Sequence, residues 1–229
     1  KKIVQHVRES LGKSRQTIQR AIQFYKKYPD LELLPEGKNI SWHKICNVYL
    51  PKTKEKPIEL PKGKYQVIYA DPPWQFNNEG FAQSAEQKYP TMSIKEICDI
   101  PIKEKIGEKA VLFLWVTNAF LEEGLSVCKE WGFNYKTNMV WIKKKGPTIG
   151  WFTKSRHELL FIATKGEGMH PKEKFNSWFE SKVTKHSKKP EIIYEMIKKM
   201  YKGPYLELFA RSIQKRKGWT YWGNEMPNK

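Results

Sequence analysis

From Tyr65 onward, apolar and polar positions follow two alternating rhythms. Short runs rich in β-branched and aromatic residues predict strands at Tyr65 to Ala70, Ala110 to Val116, Thr137 to Ile142, Glu158 to Ala163 and Tyr205 to Phe209. Stretches with a three-to-four-residue apolar period predict helices between them, at Ser93 to Asp99, Asn118 to Trp131 and Pro190 to Tyr201. Alternation of this kind predicts an α/β fold with a mostly parallel sheet. Two long connections, residues 75–92 and 143–156, follow strand ends, where open α/β sheets hold their ligands. The chain shows no internal repeat or low-complexity tract.

The first 50 residues read differently. Two helices are predicted at Ile3 to Leu11 and Thr17 to Tyr28, broken at Gly12 and restarted with Ser14 as N-cap. This is the rhythm of a helix-turn-helix. The second helix would carry Arg15, Gln16, Gln19, Arg20 and Gln23 on a polar face able to reach phosphates and base edges, with Ile18, Ala21, Ile22 and Tyr25 turned inward. A third helix, Trp42 to Tyr49 behind Ser41, completes a small helical unit over residues 1–50. Residues 51–64, rich in Pro and Lys, read as a linker to a second domain over residues 65–229.

Charge narrows the class. The 42 Lys and Arg against 24 Asp and Glu give a net charge of +18 and a pI near 9.7, which points to a nucleic-acid partner. Aromatic residues make up 14% of the chain, nine of them Trp, and supply both core and candidate stacking surfaces for bases. Cys46, Cys98 and Cys128 are far apart and odd in number, so neither a disulfide framework nor a metal site is expected. Apolar runs fall well short of a membrane span and no signal peptide is visible, which predicts a cytoplasmic protein. Lys1 in place of Met predicts that a natural N-terminus has been trimmed.

Candidate chemistry begins where strand YQVIYA runs into Asp71-Pro72-Pro73-Trp74. The lone pair of adenine N6 is delocalised into the ring, so a catalyst must hold both amino hydrogens and leave the nitrogen facing an electrophile. Asp71 can accept one hydrogen and the Pro72 carbonyl the other. Pro72 and Pro73 fix φ and remove amide hydrogens, and Trp74 can stack on the purine. The alternative reading is a turn that only closes a buried strand, with Trp74 capping the core.

This motif, in this setting, resembles the MT-A70 family, which includes catalytic subunits of mRNA N6-adenosine methyltransferases and bacterial and phage relatives acting on DNA. Further segments share the resemblance: Tyr89-Pro90-Thr91-Met92-Ser93, Val111 to Thr117, His157-Glu158, Ser187-Lys188-Lys189-Pro190, Glu207-Leu208-Phe209-Ala210-Arg211 and Gly223-Asn224. It implies a Rossmann-like class I methyltransferase fold with permuted order, in which the DPPW strand precedes the cofactor strand. It further implies S-adenosyl-L-methionine as cofactor, held by Asp71, Lys189, Arg211, Asn224 and the neighbouring Glu225. Tyr89, Glu158 and Ser187 fall on the substrate side, and a homodimer or heteromer is implied as the assembly. Ile213-Gln214 departs from the eukaryotic His-Asn pair, and Glu225 from glutamine, which together look more like prokaryotic or phage members.

Lys143, Lys144, Lys145 and Lys154, around Trp151, are the candidates for gripping phosphates beside a flipped base. No Gly-x-Gly-x-x-Gly fingerprint occurs, which disfavours a nicotinamide enzyme. The expected activity is N6 methylation of adenine in DNA, favoured over RNA by the helix-turn-helix-like start. A catalytically silent nucleic-acid-binding subunit and cytosine N4 methylation remain as alternatives.

Overall fold

Strand β1 (Tyr65–Ala70) occupies the predicted residues and lies inside a seven-stranded sheet. The computed structural model describes residues 15–50, 59–75, 91–144, 152–183, 188–211 and 216–223. The predicted helix Ile3 to Leu11 and the candidate residues Tyr89, Lys145, Trp151, Ser187, Asn224 and Glu225 lie outside the described residues. By internal contacts the chain divides into two units, residues 1–57 and 58–229.

The sheet contains β1, β2 (Ile106–Val116), β3 (Asn134–Lys143), β4 (His157–Lys165), β5 (Trp178–Ser181), β6 (Tyr205–Leu208) and β7 (Trp219–Trp222). Their order is β5-β3-β4-β2-β1-β6-β7. β1 is parallel to β2 and β6, β6 to β7 and β3 to β5, while β4 is antiparallel to both β2 and β3. Six strands therefore run one way and β4 alone runs against them. The sheet is thus mostly parallel, as expected, and the one reversed strand brings the N-terminal end of β4 to the edge where β1, β2, β3 and β6 end.

Strand alternation sends side chains to two cores. Ile68, Ala70, Leu112, Leu114 and Val116 pack with Ile97, Val127 and Trp131 on one face. The last three come from α3 (Ile94–Cys98), α4 (Leu121–Glu130) and the residue just after α4. Val67, Tyr69, Val111, Phe113 and Trp115 pack with Ile193, Met196, Ile197 and Met200 of α5 (Ile192–Met200) on the other. Ser93 caps α3 in a capping box with Glu96. The predicted helix from Asn118 opens as a 3₁₀ turn, Asn118–Phe120, before α4.

β5 and β7 were not foreseen. Each is four residues of mixed polarity whose pairing comes from its neighbour, so neither carries a period long enough to read.

In the first unit, α1 (Arg15–Lys27) matches the predicted second helix, and Ser41 caps α2 (Trp42–Lys44), which continues as a wider, π-type turn through Tyr49. The inward face of α1 is corrected. Ile18 and Phe24 are buried, whereas Ala21, Ile22 and Tyr25 are exposed. The reason is an aromatic cluster: Phe24 meets Tyr28 at 5.3 Å and Tyr49 at 5.8 Å, which draws the helix round to bury the larger ring.

Candidate active site

β1 sits where the chain reverses its order: β2 lies on one side and β6 on the other. The carboxyl ends of strands at such a switch point form the natural ligand crevice of an open α/β sheet. Asp71, the first residue past β1, lies there. Pro73 sits at the centre of a tight turn in which the Trp74 N–H donates to the Pro72 carbonyl at 2.9 Å, a shape that proline's fixed φ favours. The carbonyl's second lone pair is left for another donor.

Trp74 is corrected. Its indole is buried, stacked on Phe120 at 5.3 Å, and its N–H donates to the Trp115 carbonyl at 3.2 Å. A ring packed and hydrogen-bonded in this way pins the turn to β2 and offers no open face to a purine.

Lys189, just before α5, joins the edge together. Its ammonium lies 2.9 Å from Asp71 Oδ1 and 2.8 Å from Glu158 Oε2, and 5.2 Å from the centre of the Trp115 ring. Glu158 comes from the start of β4, reaching the site only because that strand is antiparallel. Its other oxygen meets Lys143 Nζ at 2.6 Å. The side chains of Lys189, Asp71 and Glu158 are 13%, 22% and 15% exposed, so water screens the cluster weakly.

Burial raises the Asp71 carboxyl above its ordinary range even though Lys189 pulls it down. Burial also raises Glu158, but Lys189 and Lys143 together outweigh it and hold that carboxyl below its ordinary value. Burial disfavours the Lys189 ammonium, and its two carboxylates overcome this and hold it above. Arg211 follows β6 and lowers Asp71 through its charge.

The reading of Lys143 and Lys144 as loop cations is also corrected. β3 runs on through Lys143, which is paired with Glu158, and Lys144 is paired with Glu180 at 2.9 Å. Lys154 is exposed.

A neighbouring carboxylate was recorded in the sequence only as part of a motif. Glu207 on β6 lies beside Tyr69 of β1 in the ladder. Its Oε1 accepts the Tyr194 hydroxyl at 3.0 Å, and Oε2 is buried with no hydrogen-bond partner among the described residues. Arg216 covers the Tyr194 ring at 3.7 Å and pairs with Glu191, which also meets Lys188 at 2.9 Å. A Glu inside an apolar strand, YLELFA, was the available signal.

Burial pushes the Glu207 carboxyl up to about 7 from 4.5, against the lowering by Tyr194. The folded state therefore holds this proton more tightly than the unfolded chain does. The stabilisation is complete below pH 4.5 and is lost as pH rises toward 7. Glu207→Gln is expected to be more stable than wild type at pH 8, by at most roughly 3 kcal/mol, and equal to it at pH 4. Urea denaturation at the two pH values checks this.

Past β6, Phe209 adopts φ 62°, a left-handed conformation that is strained for a bulky side chain. Gly223 closes on the same turn, where a Cβ would come within 2.3 Å of the Ala210 carbonyl oxygen. Only glycine allows the ends of β6 and β7 to approach so closely.

A mixed α/β sheet with a charged cluster at its switch point, opening from a DPPW turn, is the architecture of a Rossmann-like methyltransferase. The MT-A70 family model matches residues 65–225, and the chain belongs to that family. It is 33% identical over 203 residues to the Type II methyltransferase M.MunI of Mycoplasma sp, covering 77% of this chain and 86% of that protein. It is 29% identical to a putative N(6)-adenosine-methyltransferase MT-A70-like of Medicago truncatula and 28% to the N(6)-adenosine-methyltransferase catalytic subunit METTL3 of Homo sapiens. Each of those matches covers 72% of this chain, but only 27% and 28% of the relative's own length. Among the described residues, no helix is long and apolar enough to cross a membrane.

Proposed function

We propose that the chain transfers a methyl group from S-adenosyl-L-methionine to N6 of adenine in DNA. The observation that carries this reading is the Asp71 carboxylate at the end of β1, held by Lys189 and backed by Glu158. The donor set suits a zwitterionic methionine end. Lys189 has three N–H donors, of which two face Asp71 and Glu158, and the third suits a carboxylate. The Glu207 oxygen that has no hydrogen-bond partner among the described residues and the close turn at Phe209, Ala210 and Gly223 supply the polar, narrow surroundings such a group needs.

S-adenosyl-L-methionine, when bound, supplies a methyl carbon on a positively charged sulfur. Asp71 has lone pairs enough to keep Lys189 and still accept one amino hydrogen of adenine, while the free lone pair of the Pro72 carbonyl accepts the other. The nitrogen lone pair is thereby turned to the methyl carbon. As the bond from N6 to the methyl carbon formed, the carbon–sulfur bond would break with its electron pair left on the departing neutral thioether. The cationic nitrogen would then shed a proton, which Asp71 is placed to take up. Orientation of this kind is worth about 7 to 11 kcal/mol of barrier.

DNA is favoured by the likeness to M.MunI over most of that protein's length and by the helix-turn-helix-like rhythm of the first unit. Transfer to RNA is the second reading, favoured by the adenosine-methyltransferase names of the plant and human relatives. The permuted motif order, the cofactor roles of Arg211, Asn224 and Glu225, the substrate roles of Tyr89, Ser187 and Glu158, and assembly as a dimer or heteromer belong to the same proposal. Incubation with methyl-labelled donor and matched DNA and RNA oligonucleotides tests the substrate class. Label on DNA adenine is expected, and label on RNA alone would overturn the choice of DNA.

A further inference from the structure

Among the four lysines singled out near the second long connection, Lys143 and Lys144 already hold carboxylates. The exposed cations on the described approach to β4 are Lys154 and Arg156, and just before them stands Phe152, fully exposed. An aromatic ring left wholly in water forgoes its entire hydrophobic gain. Single exposed apolar residues are ordinary on protein surfaces, so the surroundings decide the meaning.

Those surroundings are specific. The Lys143 N–H donates to the Arg156 carbonyl at 2.8 Å, which carries the β3-β4 pairing one residue beyond its last ladder pair, Ile142 with His157, toward the open edge. Residues two apart in an extended chain share a face and are separated by about 7 Å. Arg156 therefore continues on the side of Glu158, the side turned to Lys189 and Asp71. Lys154 and Phe152 precede it in the chain, Phe152 at a bend over residues 152–153. The segment that enters the strand of Glu158 thus carries two exposed cations and an exposed aromatic.

We propose that residues 152–156 are a track for the unpaired nucleotides flanking the target adenine in DNA, with Arg156 and Lys154 on phosphates and Phe152 stacked on a base. This rests on the proposed transfer to DNA. Cations with a neighbouring exposed aromatic are what a single strand requires, since every base has a face to stack while duplex bases keep theirs covered.

The test uses the full chain and a 16-nucleotide single-stranded DNA carrying 2-aminopurine two positions from its only adenine. Wild type is expected to bind it and quench the 2-aminopurine. Phe152→Ala is expected to weaken binding about tenfold or more and to remove the quenching, and Phe152→Trp to restore both. The double variant Lys154→Ala/Arg156→Ala is expected to reduce the log-log salt slope of binding by about 1.4, the contribution of two single-strand phosphates.

Wild-type affinity in Phe152→Ala, failure of Phe152→Trp to restore it, or an unchanged salt slope in the double variant would overturn the track. Methyl transfer is read separately. A wild-type chain that binds and quenches the DNA but transfers nothing removes the proposed reaction and leaves the track standing. Transfer that persists while Phe152→Ala binds like wild type removes the track and leaves the reaction.

Discussion

Asp71→Asn is expected to lower methyl transfer by about a thousandfold while leaving the fold intact. An amide keeps the size of the side chain but exchanges one accepting oxygen for a donor, which repels the amino hydrogen it should hold. Losing one preorganised polar contact at a reacting centre costs on the order of 10²- to 10³-fold in rate, and here the contact also takes up the proton. Stability should change little. Burial already raises the Asp71 carboxyl above its ordinary value, so the charged form is the strained one in the folded state. Single-turnover rates and thermal midpoints, measured on the same preparations, check both halves. The same burial predicts that wild-type transfer declines on the acid side at a higher pH than an ordinary aspartate would give.

Lys189→Met is expected to have the largest effect on stability. The ammonium is shared by Asp71 and Glu158, and all three side chains are largely out of water. Removing it leaves two carboxylates facing each other without their common cation, a loss of about 3 to 5 kcal/mol for a buried pair broken on one side.

The pH dependence has a defined sign. In wild type, Glu158 is held below its ordinary value, because Lys189 and Lys143 outweigh the raising effect of burial. Its stabilisation is present above the unfolded pKa and is lost as pH falls through the folded one. In the variant, both carboxylates gain protons more readily as pH falls, which relieves their repulsion. The stability gap should therefore be widest at pH 8 and narrow toward pH 4. Adding Glu158→Gln to Lys189→Met should recover part of the loss at pH 8. Urea titrations at both pH values read all three outcomes.

What the sequence disclosed followed the length and purity of each pattern. β1 and the helices flanked by capping or apolar periods were legible, and so was the Asp71 turn, because a Pro-Pro pair after an apolar strand has few other uses. Lys189 and Glu158 were legible through the family resemblance alone: nothing local to either residue says that they share a proton-donating contact. That contact depends on β4 running antiparallel, a property of pairing between distant segments. The same pairing converted Lys143 from a loop cation into a partner of Glu158. Trp74 was misread because an indole beside a catalytic turn looks the same in sequence whether it meets a ligand or Phe120. Glu207 was visible as a charge in an apolar strand, but its value near 7 comes from burial in the folded sheet, which outweighs the lowering by Tyr194 and Arg216. In the first unit the period of α1 was legible, but its inward face was set by Tyr49, twenty-five residues beyond Phe24.

The central claim is that this edge methylates the exocyclic amine of adenine, and nucleoside mass analysis tests it most directly. A DNA with a single adenine, incubated with the protein and S-adenosyl-L-methionine, should yield N6-methyl-deoxyadenosine. The same DNA with 2-aminopurine in place of that adenine, which moves the amine to another ring position, should yield no methylated base. Methyl groups on 2-aminopurine, or on cytosine in either DNA, would contradict the account.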